Sequence, residues 1–160
     1  MNAIETLAQS ELFGGLSDEE RRAVAVLARS RHVAAGQTIF RDGDPAEDLY
    51  VVRHGRVELT FPLIVLGETK ETRFQSLEPG RTLAWSALVP PHRLTMGARA
   101  TTDAELLAFG RDPMLGLFAE RPAIGYAVMS RLSRVVASRM QELAALWRRE
   151  IQRNVSQTYR

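Results

Sequence analysis

Between Arg31 and Phe109 the sequence breaks into short β-rich runs separated by turn signals at fairly even intervals. That rhythm is the mark of a sandwich or barrel of antiparallel strands, and it restricts this stretch to a mainly β fold. "HVAAGQTIF" is followed by "RDGDPAEDL", in which Gly43, Asp44 and Pro45 predict a turn. "LYVVRHGRVELTF" reads as two apolar strands around "RHG", with Gly55 free to take positive φ, which predicts a hairpin. "TRFQSL" and "EPG" supply another strand and turn, and "LTMGARA" and "AELLAFG" two final strands joined by "TTD".

Helical patterns flank this region. In "LSDEERRAVAVLA", Leu16–Ala28, Ser17 stands three residues before Glu20, so each side chain can satisfy a free backbone N–H at the helix start. Val24, Leu27 and Ala28 then form its apolar face. After the β region, "RDPMLGLFAE" offers Asp112 as N-cap and Pro113 at the first helical position. A new helix is predicted from Pro122, running without a breaker for about thirty residues. Its stripe of Ile124, Val128, Leu132, Val136, Met140, Leu143, Trp147 and Ile151 is too long to lie wholly on a small β domain. The distal half therefore calls for a partner helix.

Composition narrows the chemistry. Of the 160 residues 45% are apolar and 25% charged, enough core for one folded domain with an appended helix. Cysteine is absent, which excludes disulfides, thiol catalysis and thiolate metal sites. No run of about 18 apolar residues could span a bilayer, and "MNAIETLAQS" lacks the pattern of a secretion signal. The expected location is cytoplasmic, with no membrane contact. His32, His54 and His92 lie in separate segments without ligand spacing, so no metal is expected. Neither a Ser-His-Asp set nor a carboxylate pair can be assembled; Ser86 has no evident base, and an enzyme is not expected. Glu47 and Asp48 read as turn-solvating residues. Arg148, Arg149 and Arg153 read as complements to the helix C-terminal dipole before they read as a nucleic-acid contact.

Taken together, "LFGGLSDEERRAV", "GQTIFRDGDPAEDLYVVRHGRVEL", "LEPGRTLAWSALV" and "ARATTDAELLAFGRDPMLGLF" resemble the cyclic nucleotide-binding domain of the catabolite activator and nitric-oxide/oxygen-regulator (Crp/Fnr-like) family. The resemblance runs from about Leu12 to Met140. It implies a double-stranded β-helix, a jelly roll of eight strands with helices at both ends. The implied organisation is a β-roll with N-terminal helices and a short following helix over 1–121, a long C-terminal dimerisation helix over 122–155, and a tail over 156–160. Family transcription factors carry a winged helix-turn-helix after the long helix. With the sequence ending at Arg160, direct sequence-specific DNA reading is not expected.

In that family a short helix-bearing turn captures the cyclic phosphate, an arginine on the following strand neutralises it, and a Gly-Glu pair in the turn binds the ribose hydroxyl. Free N–H groups at a helix start and a bidentate guanidinium suit that anion. Here the turn reads Leu83, Ala84, Trp85, Ser86, Ala87, Leu88. Aligned on the family, Ala84 stands for the glycine, Trp85 for the glutamate and Leu94 for the phosphate-binding arginine. Arg93 is one place earlier, and adjacent strand residues point to opposite faces, so it substitutes only if the strand slips. Losing a charge partner to a buried phosphate costs about 2–5 kcal/mol.

Three readings of the pocket stay open: Trp85 and Leu94 close it as core; it is rebuilt for a more apolar ligand; or it still takes a cyclic nucleotide through Arg93, Ser86 and Thr95. Arg139 and Met140 occupy the helix positions that face the base in the family. Arg139 can stack on a planar ligand, although a solvated or cross-dimer arginine is the plainer expectation. No cofactor is expected, and a cyclic nucleotide or other small molecule is the ligand class left open. The expected protein is a homodimeric regulatory or sensor module with a degenerate cassette. Its rivals are a ligand-free dimeric scaffold and a transcription-regulator relative acting through its basic tail.

Overall fold

The computed structural model describes residues 2–158. Two short helices, α1 (Ala3–Gln9) and α2 (Asp18–Ala25), precede eight strands. These are β1 (Arg29–Val33), β2 (Thr38–Phe40), β3 (Asp48–His54), β4 (Val57–Val65), β5 (Glu68–Leu77), β6 (Thr82–Leu83), β7 (Gly97–Ala100) and β8 (Ala104–Gly110). A single 3-10 turn, Trp85–Leu88, follows β6, and α3 (Arg111–Glu120) and α4 (Pro122–Thr158) close the chain. The capping box expected at Ser17 and Glu20 is present, and Asn2 and Glu5 form a second one ahead of α1.

The strands form two four-stranded antiparallel sheets, ordered β1-β8-β3-β6 and β2-β7-β4-β5. Most successive strands lie in opposite sheets, which is the jelly-roll solution to burying two apolar faces against each other. Phe13 packs on Phe109 with ring centroids 5.3 Å apart, tying the α1–α2 connection to the core of the roll.

One expectation about the strands is corrected. β3 and β4 are not a hairpin. β3 pairs with β8 and β6, whereas β4 pairs with β5 and β7, so the Gly55 turn carries the chain from one sheet to the other. Leu49, Tyr50, Val51 and Val52 are all buried, so β3 is covered on both faces and needs strand neighbours on both sides within its own sheet. Gly55 has φ of +80°, and a Cβ there would stand 2.3 Å from the Asp103 carbonyl oxygen. Bare backbone is what lets this corner close on the β7–β8 turn. The two-residue hairpin is instead β4–β5, around Leu66 and Gly67, both at positive φ. Leu66 is fully exposed there, and a leucine in that place gives no turn signal in a sequence.

The start of α3 also differs. Gly110, at the end of β8, is its N-cap, without a side-chain hydrogen bond, and Arg111 N–H donates to the Glu47 carbonyl at 2.8 Å. β8 passes directly into the helix, so Asp112 and Pro113 sit inside the first turn. An acidic side chain and a missing N–H are both tolerated there. Helix α4 does begin at Pro122 and extends to Thr158, into the stretch expected as tail. Ile124, Val128, Leu132 and Val135 are buried against the rest of the fold, and Gly125 lets Phe118 of α3 approach closely. Beyond them the outer stripe is bare: Met140 is 63% exposed and Trp147 68%.

Glu105 on β8 clamps the first sheet. Its Oε1 accepts from Ser30 Oγ of β1 at 2.6 Å and from Arg53 Nη1 of β3 at 2.8 Å. The Ser30 hydrogen bond, followed by the Arg53 charge, outweighs desolvation and holds this carboxyl below its ordinary value of 4.5. A carboxyl depressed in the native state binds fewer protons than in the unfolded chain. Its stabilisation is therefore complete above about 4.5 and is lost as pH falls through the native value. Glu105→Gln should be less stable than wild type at neutral pH, with the gap closing below that value. Urea unfolding across a pH series checks this, and a gap independent of pH would show that the carboxylate charge contributes nothing.

Candidate functional site

The turn after β6 is built by its backbone. Ala84 adopts the left-handed region at φ +58°, ψ +36°, and caps the 3-10 turn, with Ala87 N–H donating to its carbonyl at 3.0 Å. A Cβ at such angles costs about 1–2 kcal/mol. The conformation is the one that favours glycine, the residue the family resemblance puts at this position. Ser86, Ala87 and Leu88 are buried, and Trp85 is partly buried against the core. Leu83 and Ala87 are fully enclosed in that core, so neither faces the cavity.

After the turn the chain leaves through Pro90, Pro91 and His92. His92 has φ of +56°, and its Nδ1 lies 3.2 Å from the Ser86 carbonyl oxygen. Arg93 then bridges antiparallel to Pro45. Leu94 N–H donates to the Asp44 carbonyl at 2.9 Å, and Gly43 N–H donates to the Leu94 carbonyl at 2.8 Å. These bonds set the facing of both side chains. Leu94 is 6% exposed and lines the cavity, whereas Arg93 is exposed and donates through Nη1 to the Gly43 carbonyl at 2.9 Å. The strand slip that would bring Arg93 inward is not present.

The cavity measures about 50 Å³ and is lined by Phe40, Leu59, Ala84, Trp85, Ser86, Leu94, Thr95, Met96 and Arg139. Six of the nine residues singled out from the sequence therefore meet here, while Leu83, Ala87 and Arg93 do not. Phe40, Leu59 and Met96 were not singled out. They come from β2, β4 and the approach to β7, and their apolar alternation reads as ordinary core in a sequence.

Arg139 corrects the expectation of a solvated side chain: it is 6% exposed. Position 139 continues the inward face of α4 marked by Leu132 and Val135. Its Nη2 donates to the Thr82 carbonyl and lies 3.4 Å from Glu11 Oε1. Glu11 in turn accepts from Thr82 N–H at 2.7 Å and pairs with Arg81 Nε at 3.1 Å. Burial, and secondarily the Arg81 charge, push the Arg139 guanidinium below its usual range, with Glu11 opposing. The Nε of Arg139 is buried without a hydrogen-bond partner among the described residues. The connection between α1 and α2, the strand entering the cassette turn, and α4 thus meet at one carboxylate. Glu11 was not visible in the sequence as a partner, because it lies 128 residues from Arg139.

Comparison with known proteins places this geometry. The model of the cyclic nucleotide-binding domain family matches residues 30–121. The cyclic AMP receptor protein of Thermus thermophilus is 31% identical over 125 residues, covering 78% of this chain and 56% of that protein. This chain thus spans little more than half the length of that relative. The solved structure of the Thermus thermophilus catabolite activator protein superposes with a TM-score of 0.70 at 31% identity, covering 86% of this chain and 63% of that one. The N-terminal domain of a transcriptional regulator from Streptomyces coelicolor also gives 0.70, at 26% identity, covering 83% and 93%.

The Arg139 anchor has a measurable consequence. Arg139→Ala strands Glu11 beside one remaining guanidinium and should lower stability by about 3 kcal/mol, the scale for breaking a buried pair. Arg139→Met, which keeps the volume, should lose less. Urea unfolding of the two variants checks both the size and the order; equal losses would assign the whole effect to the lost charge and hydrogen bonds and none of it to packing.

Proposed function

Because this chain belongs to the cyclic nucleotide-binding domain family, we propose that it is a regulatory module of that family whose cassette no longer takes cyclic AMP or cyclic GMP in the usual way. The observation that carries this reading is the facing of Leu94 and Arg93: the side chain aimed into the cavity is apolar, and the arginine beside it is turned out to Gly43. A cyclic phosphate in this pocket would find no free guanidinium, since Arg139 is already committed to Thr82 and Glu11. A buried anion without a counter-charge is costly. Trp85 and a cavity of about 50 Å³ favour a small apolar ligand or a permanently closed pocket over a nucleotide. The role is binding and regulation, not catalysis.

The route for regulation is mechanical. Arg139 on α4 grips the carbonyl of Thr82, two residues before Ala84 begins the cassette turn. A ligand or partner that shifts that turn pulls on α4, and a dimer formed along the outer stripe of α4 passes the shift to the second subunit. Met140, Leu143, Trp147, Ile151 and Val155 lie exposed along that stripe at helical spacing, as a two-helix seam requires.

Titrating cyclic AMP and cyclic GMP into a Trp147→Phe variant, while following Trp85 fluorescence, should give no saturable change. Trp85→Glu with Leu94→Arg, titrated by calorimetry since the Trp85 reporter is gone, should restore binding, because the backbone of the turn keeps the glycine-type conformation at Ala84. Saturable binding by the single variant would overturn the reading of the cassette. For the dimer, Leu143→Glu should convert the protein to a monomer in sedimentation equilibrium, with Arg148→Ala as an exposed control on the same helix. A monomeric wild type would overturn the proposed seam.

A further inference from the structure

A second polar feature lies beside the cassette. A cleft of about 200 Å³ opens between α4, the α1–α2 connection and the residue that precedes β6, lined by Glu11, Arg81, Arg131, Arg134, Val135 and Ser138. With Arg139 behind it, four arginines gather here around Glu11, and Glu142 is the other carboxylate in reach, held 3.4 Å from Ser138 Oγ. The region therefore carries an excess of positive charge that the chain itself does not neutralise.

The arginines are placed, not merely crowded. Arg131 Nη1 donates to the Glu11 carbonyl at 2.9 Å, and its guanidinium lies over Gly15, where a Cβ would come within 2.5 Å of Nε. The bare backbone of Gly15 makes room for that guanidinium. Arg81 is steered by Glu11, and Arg134, exposed one helical turn from Arg131, has no hydrogen-bond or ion-pair partner among the described residues. Arg131, Arg134 and Ser138 follow one another at three- and four-residue steps on one side of α4. At about 100° per residue this side faces away from Met129, Val136, Met140 and Leu143, so pairing along the apolar stripe leaves the cleft open.

We propose that this cleft is a binding site for a multiply charged phosphate-type oxyanion, held by Arg81, Arg131 and Arg134. Planar guanidiniums converging from two elements match tetrahedral oxyanions through charge-assisted hydrogen bonds. The bound anion bridges α4 to the residue just before β6, parallel to the Arg139–Thr82 contact, and so stiffens the same joint through which the cassette reaches the helix.

The test is calorimetric titration of inorganic pyrophosphate into the full chain at constant ionic strength, with orthophosphate as a second arm. Saturable binding near one site per chain, tighter for pyrophosphate, is expected, with a rise in Tm as the native state is loaded. Arg134→Ala should weaken it about tenfold, the scale of one lost charge-assisted hydrogen bond. Because Arg134 has no partner among the described residues, that variant should fold as wild type. Arg148→Ala, a charge removed from the same helix outside the cleft, should leave the affinity unchanged. Absence of saturable binding at millimolar pyrophosphate would overturn the proposal, as would equal weakening by Arg134→Ala and Arg148→Ala, which would mean attraction to net charge only.

Discussion

One carboxylate joins three segments of this protein that are far apart in the chain. Glu11 accepts from the backbone N–H of Thr82 and pairs with Arg81 and Arg139, so it joins the α1–α2 connection, the strand entering the cassette turn and the long final helix. The elements it ties to α4 are short: β6 is two residues long, and α1, which leads into the connection, seven. Their positions rest on packing and on this polar joint. Burying a guanidinium is unfavourable unless it is paired, and the same low-dielectric setting that makes it costly makes its loss costly too. That asymmetry gives the joint its influence over how α4 sits on the roll.

The cassette shows how backbone and side-chain chemistry can part company. Ala84 keeps the left-handed geometry of a glycine turn, and the 3-10 turn still follows it. Yet Leu94 fills the inward position, and the bonds between Asp44, Gly43 and Leu94 turn Arg93 outward. The loop frame survives because its hydrogen bonds run through main-chain groups that any side chain can supply. Ligand chemistry, by contrast, depends on which side chains line the cavity. The turn keeps a helix gripped beside it, through the Arg139 guanidinium on the Thr82 carbonyl.

Charge on α4 is divided by face. Its outer stripe is apolar and bare, its inner face carries Ile124, Val128, Leu132 and Arg139 into the fold, and Arg131 and Arg134 rim a polar cleft on a further side. A helix extended to 37 residues can serve three purposes because its periodicity keeps three stripes apart.

Local and periodic features were legible in the sequence. The capping box at Ser17, the break at Pro122, the strand-rich middle and the resemblance carried by "GDPAEDLYVVRHGRVEL" all lie within a few turns of chain, and short-range sterics and hydrogen bonding are enough to settle them. The resemblance also led to the expectation that Leu94 stands where the family has its phosphate-binding arginine, and Leu94 does line the cavity. What only the tertiary structure decided were choices between partners far apart in the chain. The Gly55 corner looks like a hairpin until β8 and β6 claim both edges of β3, and the hairpin at Leu66–Gly67 carries one turn glycine beside a leucine that no turn pattern calls for. Arg139 looks solvated until Glu11, 128 residues away, meets it. Such pairings depend on burial and charge brought together by packing, and those exist only once the roll and its helices have closed on each other.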